Sequence, residues 1–200
     1  MLLGLDVGGT FTDAVIIDGH RVVATAKRRT TKDNLMNGIG EALDAVLEGY
    51  DASNIEQVTL STTVVTNTIV EEKEQVVDLY VVTGPGRNVD DIFPVKPIYL
   101  QGYTDHRGIV VEHTPADAVR GIANMVQARS GNDLAAVSAK FGVRNPQEEL
   151  SITEELKNTY HAISNGSLLS GSLNFPRRTI SAYFNSAVTP VFTVFKKNVE

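Results

Sequence analysis

Two tight turns near the start of the chain constrain its fold more than any other feature. Residues 2–7 form an apolar run that ends in Gly8-Gly9, and residues 11–17 form a second. Asp18-Gly19 then separates that run from His20–Ala26. An Asp-Gly pair between two β-type runs is a strong hairpin signal. The chain therefore opens with three antiparallel strands.

The remainder alternates. Leu35, Ile39, Leu43, Val46, Leu47 and Tyr50 share one face of a helix that Asp33 or Asn34 caps. A short strand is expected over 57–61, a helix from about 66 to 73, and a strand over 76–82 stopped by Gly84-Pro85-Gly86. Residues from about 84 to 113, with Pro94 and Pro97, read as an irregular excursion or small hairpin. Thr114-Pro115-Ala116-Asp117 is a helix start, with Thr as cap and Pro in the first position. Its helix turns Val119, Ile122, Ala123 and Val126 inward and stops near Gly131. A strand over 134–141 leads to a helix begun by Asn145-Pro146, with Glu148 and Glu149 in its first turn. A minimal strand over 162–164 and a helix opened by Pro176, with Ile180, Tyr183, Phe184 and Val188 inward, complete the order.

Strands alternating with helices imply a parallel continuation covered on both faces. The expected fold is α/β: one mixed five-stranded sheet, three antiparallel strands and then parallel ones, with helices on both faces. A length of 200 residues favours one domain, here 1–200, or at most two, and 42% hydrophobic residues supply a core. The net charge of −6 is dispersed, with no like-charged block beyond Glu71–Glu74, which argues against a nucleic-acid partner. The absence of cysteine excludes disulfides and thiolate metal sites. No apolar stretch is long enough to span a membrane and the first residues do not form a signal peptide, so a cytoplasmic protein with no membrane partner is expected. The four histidines show no ligand spacing and are assigned no metal.

The chemistry concentrates in Asp6-Val7-Gly8-Gly9-Thr10-Phe11-Thr12. Two glycines let a backbone turn sharply and approach a ligand. Successive N–H groups of such a turn can form an anion nest, to which Thr10 and Thr12 add hydroxyls. Asp6, read as closing a buried strand, suits a hydrated Mg²⁺ accompanying a polyphosphate. An ordinary Gly-Gly hairpin turn with capping threonines fits the same residues. Thr62, Thr63, Thr66 and Asn67 fall where a strand's carboxyl end meets a helix start, the edge at which open α/β sheets bind ligands. Capping also uses these residue types, but needs only one of them. Arg144-Asn145 follows a later strand. There Arg144 reads either as a carboxylate or phosphate ligand or as a surface ion-pair partner, and Asn145 as a ligand or a helix cap. Lys140 is a further possible cleft cation.

The first turn resembles the leading phosphate motif of the actin/hexokinase/Hsp70 ATPase superfamily. Ser61-Thr62-Thr63-Val64-Val65-Thr66-Asn67 through Glu71 narrows the resemblance to the hydantoinase/oxoprolinase family. Phe141–Pro146, Ser170–Asn174 and Arg178-Thr179 through Asn185-Ser186 are similar to that family's later segments, in the same order. The resemblance implies a ribonuclease-H-like, actin-like ATPase domain that supplies one half of a two-domain enzyme. It implies ATP and Mg²⁺ as cofactors, a second ATPase domain or partner subunit, and a cyclic amide or ketone as substrate. The implied reaction is phosphorylation of that substrate for ring-opening hydrolysis or carboxylation, with Asp6, Thr63 and Asn67 as the catalytic candidates. A noncatalytic nucleotide-binding or assembly module and a small-molecule kinase of the same superfamily are the other classes compatible with these motifs. Thr83–Asp90 and Gln101-Gly102-Tyr103 depart from the family pattern, on loops expected to line the substrate side.

Overall fold

The opening strands β1 (Leu2–Val7), β2 (Phe11–Asp18) and β3 (Arg21–Arg29) pair antiparallel in sequence order. Helix α1 (Leu35–Val46) then carries the chain back, and β4 (Gln57–Thr62) joins β1 in parallel, giving the order β3-β2-β1-β4. Helix α2 (Val64–Val70) follows, starting two residues earlier than expected and ending before Glu72 at φ 52°. The computed structural model describes residues 1–31, 34–86 and 89–199. These elements belong to the first of two compact units, Met1–Lys73 with Pro190–Glu200; the second is Glu74–Thr189.

In the first unit, strand alternation puts Leu3, Leu5 and Val7 on one face and Gly4 and Asp6 on the other. The apolar face, with Ala14 and Ile16, packs against Ile39, Ala42 and Val46 of α1 and against Phe195. Burying each Leu, Ile or Val side chain contributes roughly 1.5–3 kcal/mol. The opposite face is not covered by a helix of this unit. Gly4, Asp6, Asp13, Val15, Lys27 and Ser61 line an open groove there of about 520 Å³. The expectation of helices on both faces is thus corrected for this sheet. Asn34 caps α1, accepting from the Met36 N–H at 3.1 Å, while Asp33 lies outside the described residues.

The second unit contains β5 (Asp78–Val82), β6 (Ile98–Tyr99), β7 (Tyr103–Thr104), β8 (Val110–Glu112), α3 (Ala116–Ser130), β9 (Leu134–Ala139), α4 (Gln147–Leu156), β10 (Ala162–Asn165) and α5 (Gly166–Leu169). The last helix, α6 (Phe175–Val199), contains Pro190, where the division between the units falls. Strands β10-β9-β5-β6 form a parallel sheet, and β7 and β8 pair as a small hairpin. The single five-stranded sheet is therefore replaced by two four-stranded ones. The reason lies in β5, which is buried along its whole length. Tyr80 and Val82 face α3 and α4, while Leu79 and Val81 face Phe175, Ala182 and Tyr183. A strand apolar on both sides needs cover on both sides. Added beside β4 it would leave one apolar row on the bare face.

Other differences are local. Thr114 does not cap α3: its buried hydroxyl has no hydrogen-bond partner among the described residues, and its N–H donates to Glu148 at 2.9 Å. Strand β9 ends at Ala139, two residues early, because Phe141 adopts a φ of 64°. The 84–113 stretch carries a short 3-10 turn (Asp90–Ile92), β6 and the hairpin. Asp105 holds the hairpin's turn by accepting from the N–H groups of Arg107 and Ile109, each at 2.9 Å. Among the described residues, no helix is long and apolar enough to cross a membrane.

Candidate functional site

The Gly8 N–H donates to the Phe11 carbonyl at 3.0 Å and closes a hairpin with Gly9 and Thr10 at its tip. None of residues 8–12 has a positive φ. The turn is therefore not the alternating right- and left-handed nest expected for an anion site. The glycines serve close approach instead: a Cβ on Gly9 would stand 2.7 Å from Asn67 Nδ2, and one on Gly8 3.0 Å from the Phe11 oxygen.

Thr30, just beyond β3, clamps this turn. Its N–H donates to the Thr10 carbonyl at 3.0 Å and its hydroxyl to the Gly8 carbonyl at 2.9 Å. The Thr12 hydroxyl lies 3.0 Å from that of Thr30, whose proton is already committed, so Thr12 donates to Thr30. Thr12 is fully buried. Its hydroxyl thus braces the turn from beneath and is not presented to a ligand, contrary to the expectation for this residue. In a trans peptide the C=O and N–H point oppositely. Tying the Gly8 carbonyl to Thr30 therefore aims the Gly9 N–H away from Thr30. The N–H groups of Gly9 and Thr10, both exposed, have no acceptor among the described residues.

The β4–α2 junction meets this turn. Thr62 donates from its hydroxyl to the Val7 carbonyl at 3.0 Å and accepts from the Val64 N–H at 3.2 Å, tying β1 to β4 and capping α2 at once. Asn67 Nδ2 donates to the Thr63 hydroxyl at 3.2 Å, and Thr66 is exposed. Gly8, Gly9, Thr62 and Asn67 line a cavity of about 380 Å³ together with apolar side chains such as Leu35 and Phe195. That size lies within the range of small-molecule sites.

Asp6 is placed differently from the expectation. It is exposed rather than buried, and it points into the groove on the opposite sheet face. Its cross-strand neighbours are Asp13 on β2 and Ser61 on β4. Lys27 holds both Asp13 oxygens, at 2.9 and 3.0 Å, and lies 4.9 Å from the centre of the Phe11 ring. The Asp6 carboxylate has no hydrogen bond among the described residues. An acceptor of this kind fits a cation that keeps most of its water. No group of three or more potential ligands exists among the described residues to form an all-protein cage.

Arg144 and Asn145 lie in the second unit. Asn145 accepts from the Gln147 N–H at 3.1 Å, as a cap of α4, and donates to the Gly108 carbonyl at 3.0 Å. The Arg144 side chain is exposed and makes no ion pair among the described residues. The later family-like segments support structure. Arg178, fully buried, donates to the carbonyls of Ser172 at 2.8 Å and Ala139 at 2.6 Å. Burial lowers its pKa below the ordinary arginine value, and the charge of Glu149 opposes that shift. Glu149, also fully buried, accepts from the N–H groups of Ala139 and Ser167, each at 2.7 Å. Thr30 is not recognised from the sequence, and neither is the burial that brings Arg178 and Glu149 to the same Ala139 backbone. For Thr30 the one available signal is register: residues 11 and 29 pair, which sets 10 opposite 30.

The sequence model for the hydantoinase/oxoprolinase N-terminal region matches residues 2–160. No curated protein matches the chain by sequence. Solved structures that share its fold include the following two. The nucleotide-free structure of acetone carboxylase, from a description of ATP-dependent acetone carboxylation, has a TM-score of 0.75 at 18% identity over 99% of this chain and 34% of that one. The ATP-dependent caprolactamase from Pseudomonas jessenii has a TM-score of 0.74 at 19% identity, over 100% of this chain and 33% of that one. This chain thus spans about a third of the length of either.

Proposed function

Because the chain belongs to the hydantoinase/oxoprolinase family, as its N-terminal region, we propose that it binds the phosphates of ATP within an ATP-dependent enzyme acting on a cyclic amide or ketone. The observation that carries this reading is the clamped turn: two exposed, unpaired N–H groups at Gly9 and Thr10 beside the Asn67 amide. Fixed donors aimed at developing charge are what phosphoryl transfer asks of a protein. Both structural relatives are described as ATP-dependent, one acting on acetone and the other on caprolactam.

In this reading, Gly9 and Thr10 donate to phosphate oxygens and Thr30 keeps the donors aligned. Asn67, beside Gly9 and hydrogen-bonded to Thr63, orients the phosphate or the acceptor oxygen. Transfer of the γ-phosphoryl group to a carbonyl oxygen releases ADP. Addition of water to the activated carbon of a cyclic amide then breaks the ring C–N bond and releases phosphate. A Mg²⁺ held by Asp6 through water would supply charge neutralisation only at the edge of the turn, since the Asp6 carboxylate faces the groove and not the cavity lined by Gly8 and Gly9. A second ATPase half supplies the nucleoside pocket, so this chain alone binds ATP weakly and turns nothing over.

The test is NMR titration of the ¹⁵N-labelled chain with Mg·ATP. The Gly9 and Thr10 amide signals are expected to move most within the first unit, and Gly9→Val to abolish the movement while the remaining spectrum stays folded. Unchanged binding by Gly9→Val would remove the turn as the phosphate site.

A further inference from the structure

The parallel sheet of the second unit reverses its strand order between β5 and β9. From β5 the chain moves outward to β6, then returns past β5 to β9 and onward to β10. The two adjacent strands also discharge to opposite faces. After β5, Val89, Phe93 and Val95 pack on the face of Leu79 and Val81. After β9 the chain enters α4, whose Ile152 and Leu156 pack on the face of Tyr80 and Val82. Exits that diverge in this way mark a topological switch point at the carboxyl ends of the two strands, where open α/β sheets bind ligands.

The residues at that switch point have binding chemistry. Gly84 (φ 62°) and Gly86 (φ 145°) follow β5 in conformations that favour glycine, and a Cβ on Gly84 would stand 2.3 Å from the Tyr103 ring. Lys140 is the first residue after β9 and is half-buried. Its Nζ lies 3.6 Å from where a Gly86 Cβ would be, so its side chain reaches from one exit loop to the other. The Lys140 ammonium contacts the Phe141 ring, at 5.5 Å from its centre, and no carboxylate among the described residues pairs with it. Glu149, the nearby buried acid, has both oxygens committed to the N–H groups of Ala139 and Ser167.

The backbone around this cation is fixed. Lys140 N–H donates to the Val82 carbonyl at 2.8 Å, and Arg178 holds the Ala139 carbonyl. Phe141 is kept at φ 64°, a left-handed conformation that a non-glycine residue holds only where its surroundings fix it. A cation on a half-buried side chain, paired with no carboxylate among the described residues and set on a fixed loop at a switch point, has room for a partner that a ligand can supply.

We propose that Lys140 and the Thr83–Gly86 loop form a binding site for a small oxyanion, the carboxylate or phosphate group of a metabolite-sized molecule. This site lies wholly in the second unit and does not depend on the reading of the Gly8-Gly9 turn.

Titration of the ¹⁵N-labelled chain with inorganic phosphate, and separately with acetate, at constant ionic strength tests it. The amide signals of Gly84, Gly86 and Phe141 should shift and saturate with at least one probe. Saturation with phosphate alone identifies a phosphate ester site, with acetate alone a carboxylate site, and with both a general oxyanion site. Lys140→Gln should weaken binding about tenfold, the loss expected for a charge-assisted hydrogen bond, while Lys140→Arg retains most of it. An unchanged melting temperature for Lys140→Gln separates this loss from unfolding. Absence of saturable shifts at these residues with either probe, or wild-type affinity in Lys140→Gln, overturns the proposal. The Gly9 and Thr10 signals report separately on the phosphate turn in the first unit.

Discussion

Replacing Thr30 with Val removes one hydroxyl from the turn and little else. The side chain keeps its branched shape, and the backbone N–H bond to the Thr10 carbonyl is untouched. Two hydrogen bonds disappear: the one given to the Gly8 carbonyl and the one received from Thr12. At about 0.5–1.5 kcal/mol each they account for roughly 1–3 kcal/mol. The fully buried Thr12 hydroxyl is also stranded as a donor, which brings the total to about 2–4 kcal/mol. Thr12→Val differs, because Thr30 keeps its bond to Gly8 and loses only an incoming one, a cost of about 1 kcal/mol. In the double variant no buried donor is stranded, so its cost should fall short of the summed single costs by about 1–2 kcal/mol. Urea unfolding of the four proteins measures this, with amide exchange at Ala14 and Ile16 locating the loss in the first unit. Equal costs for Thr12→Val and Thr30→Val, or strict additivity, would refute the assigned direction of the hydroxyl relay and with it the clamp.

The second unit contains buried phenols with a pH signature. Burial pushes Tyr80 up to about 12, and it also raises Tyr160 and Tyr183, Tyr160 further through its bonds to Tyr80 and Asp78. Their neutral forms are favoured by folding, so their stabilisation is complete below the ordinary phenol value of about 10 and is lost as pH rises through the folded values. Urea midpoints should hold steady to about pH 9.5 and fall between about pH 10 and 12, less steeply in Tyr160→Phe; a flat profile to pH 12 contradicts the buried network. Arg178→Met takes two charge-assisted hydrogen bonds from the Ser172 and Ala139 carbonyls and should cost about 3–6 kcal/mol, as read from thermal or urea unfolding. Arg178→Lys should not rescue it, because a lysine cannot span the Ser172 and Ala139 carbonyls as a fork. Lys27→Met breaks an ion pair whose side chains are 57% and 48% exposed; unfolding should register no more than about 1 kcal/mol, and a larger loss would mean that the groove face is covered by something that excludes water.

The strands nearest the start of the chain are the most legible in the sequence, and the reason is local. Gly8-Gly9 and Asp18-Gly19 interrupt apolar runs at intervals that allow only hairpins, and β1, β2 and β3 pair accordingly. The path of β5 is not legible in the same way. Leu79-Tyr80-Val81-Val82 reads as an inner strand of some sheet, but an unbroken apolar run does not say which sheet. The deciding fact is that the face of β1 bearing Gly4 and Asp6 stays uncovered in its unit. The alternation of Leu3, Leu5 and Val7 already contains the placement of Asp6, since a residue between two inward side chains points outward. Expecting Asp6 to end a buried strand follows the apolar character of its neighbours instead of their period.

Gly9 and Asn67 show why a motif's residues can be recognised before their contacts are. From the sequence, Gly9 provides clearance for a ligand, and Asn67 is one of several polar residues at a helix start. In the fold, the space a Cβ would occupy at Gly9 is bordered by the Asn67 amide. A side chain there would push the Asn67 amide aside even with nothing bound, so the glycine's presence alone is not evidence of a ligand. What separates a binding turn from a merely tight one is the remaining set of donors. Thr30 draws the Gly8 and Thr10 carbonyls to its own side, and the exposed Gly9 and Thr10 N–H groups have no acceptor among the described residues. A turn that needed only to be compact would have no use for a buried hydroxyl relay holding its carbonyls away from its free donors. The relay joins Thr12 and Thr30, residues brought together by the pairing of β2 with β3. The functional half of the motif is therefore written in strand register, beyond the reach of any local pattern around Gly8-Gly9.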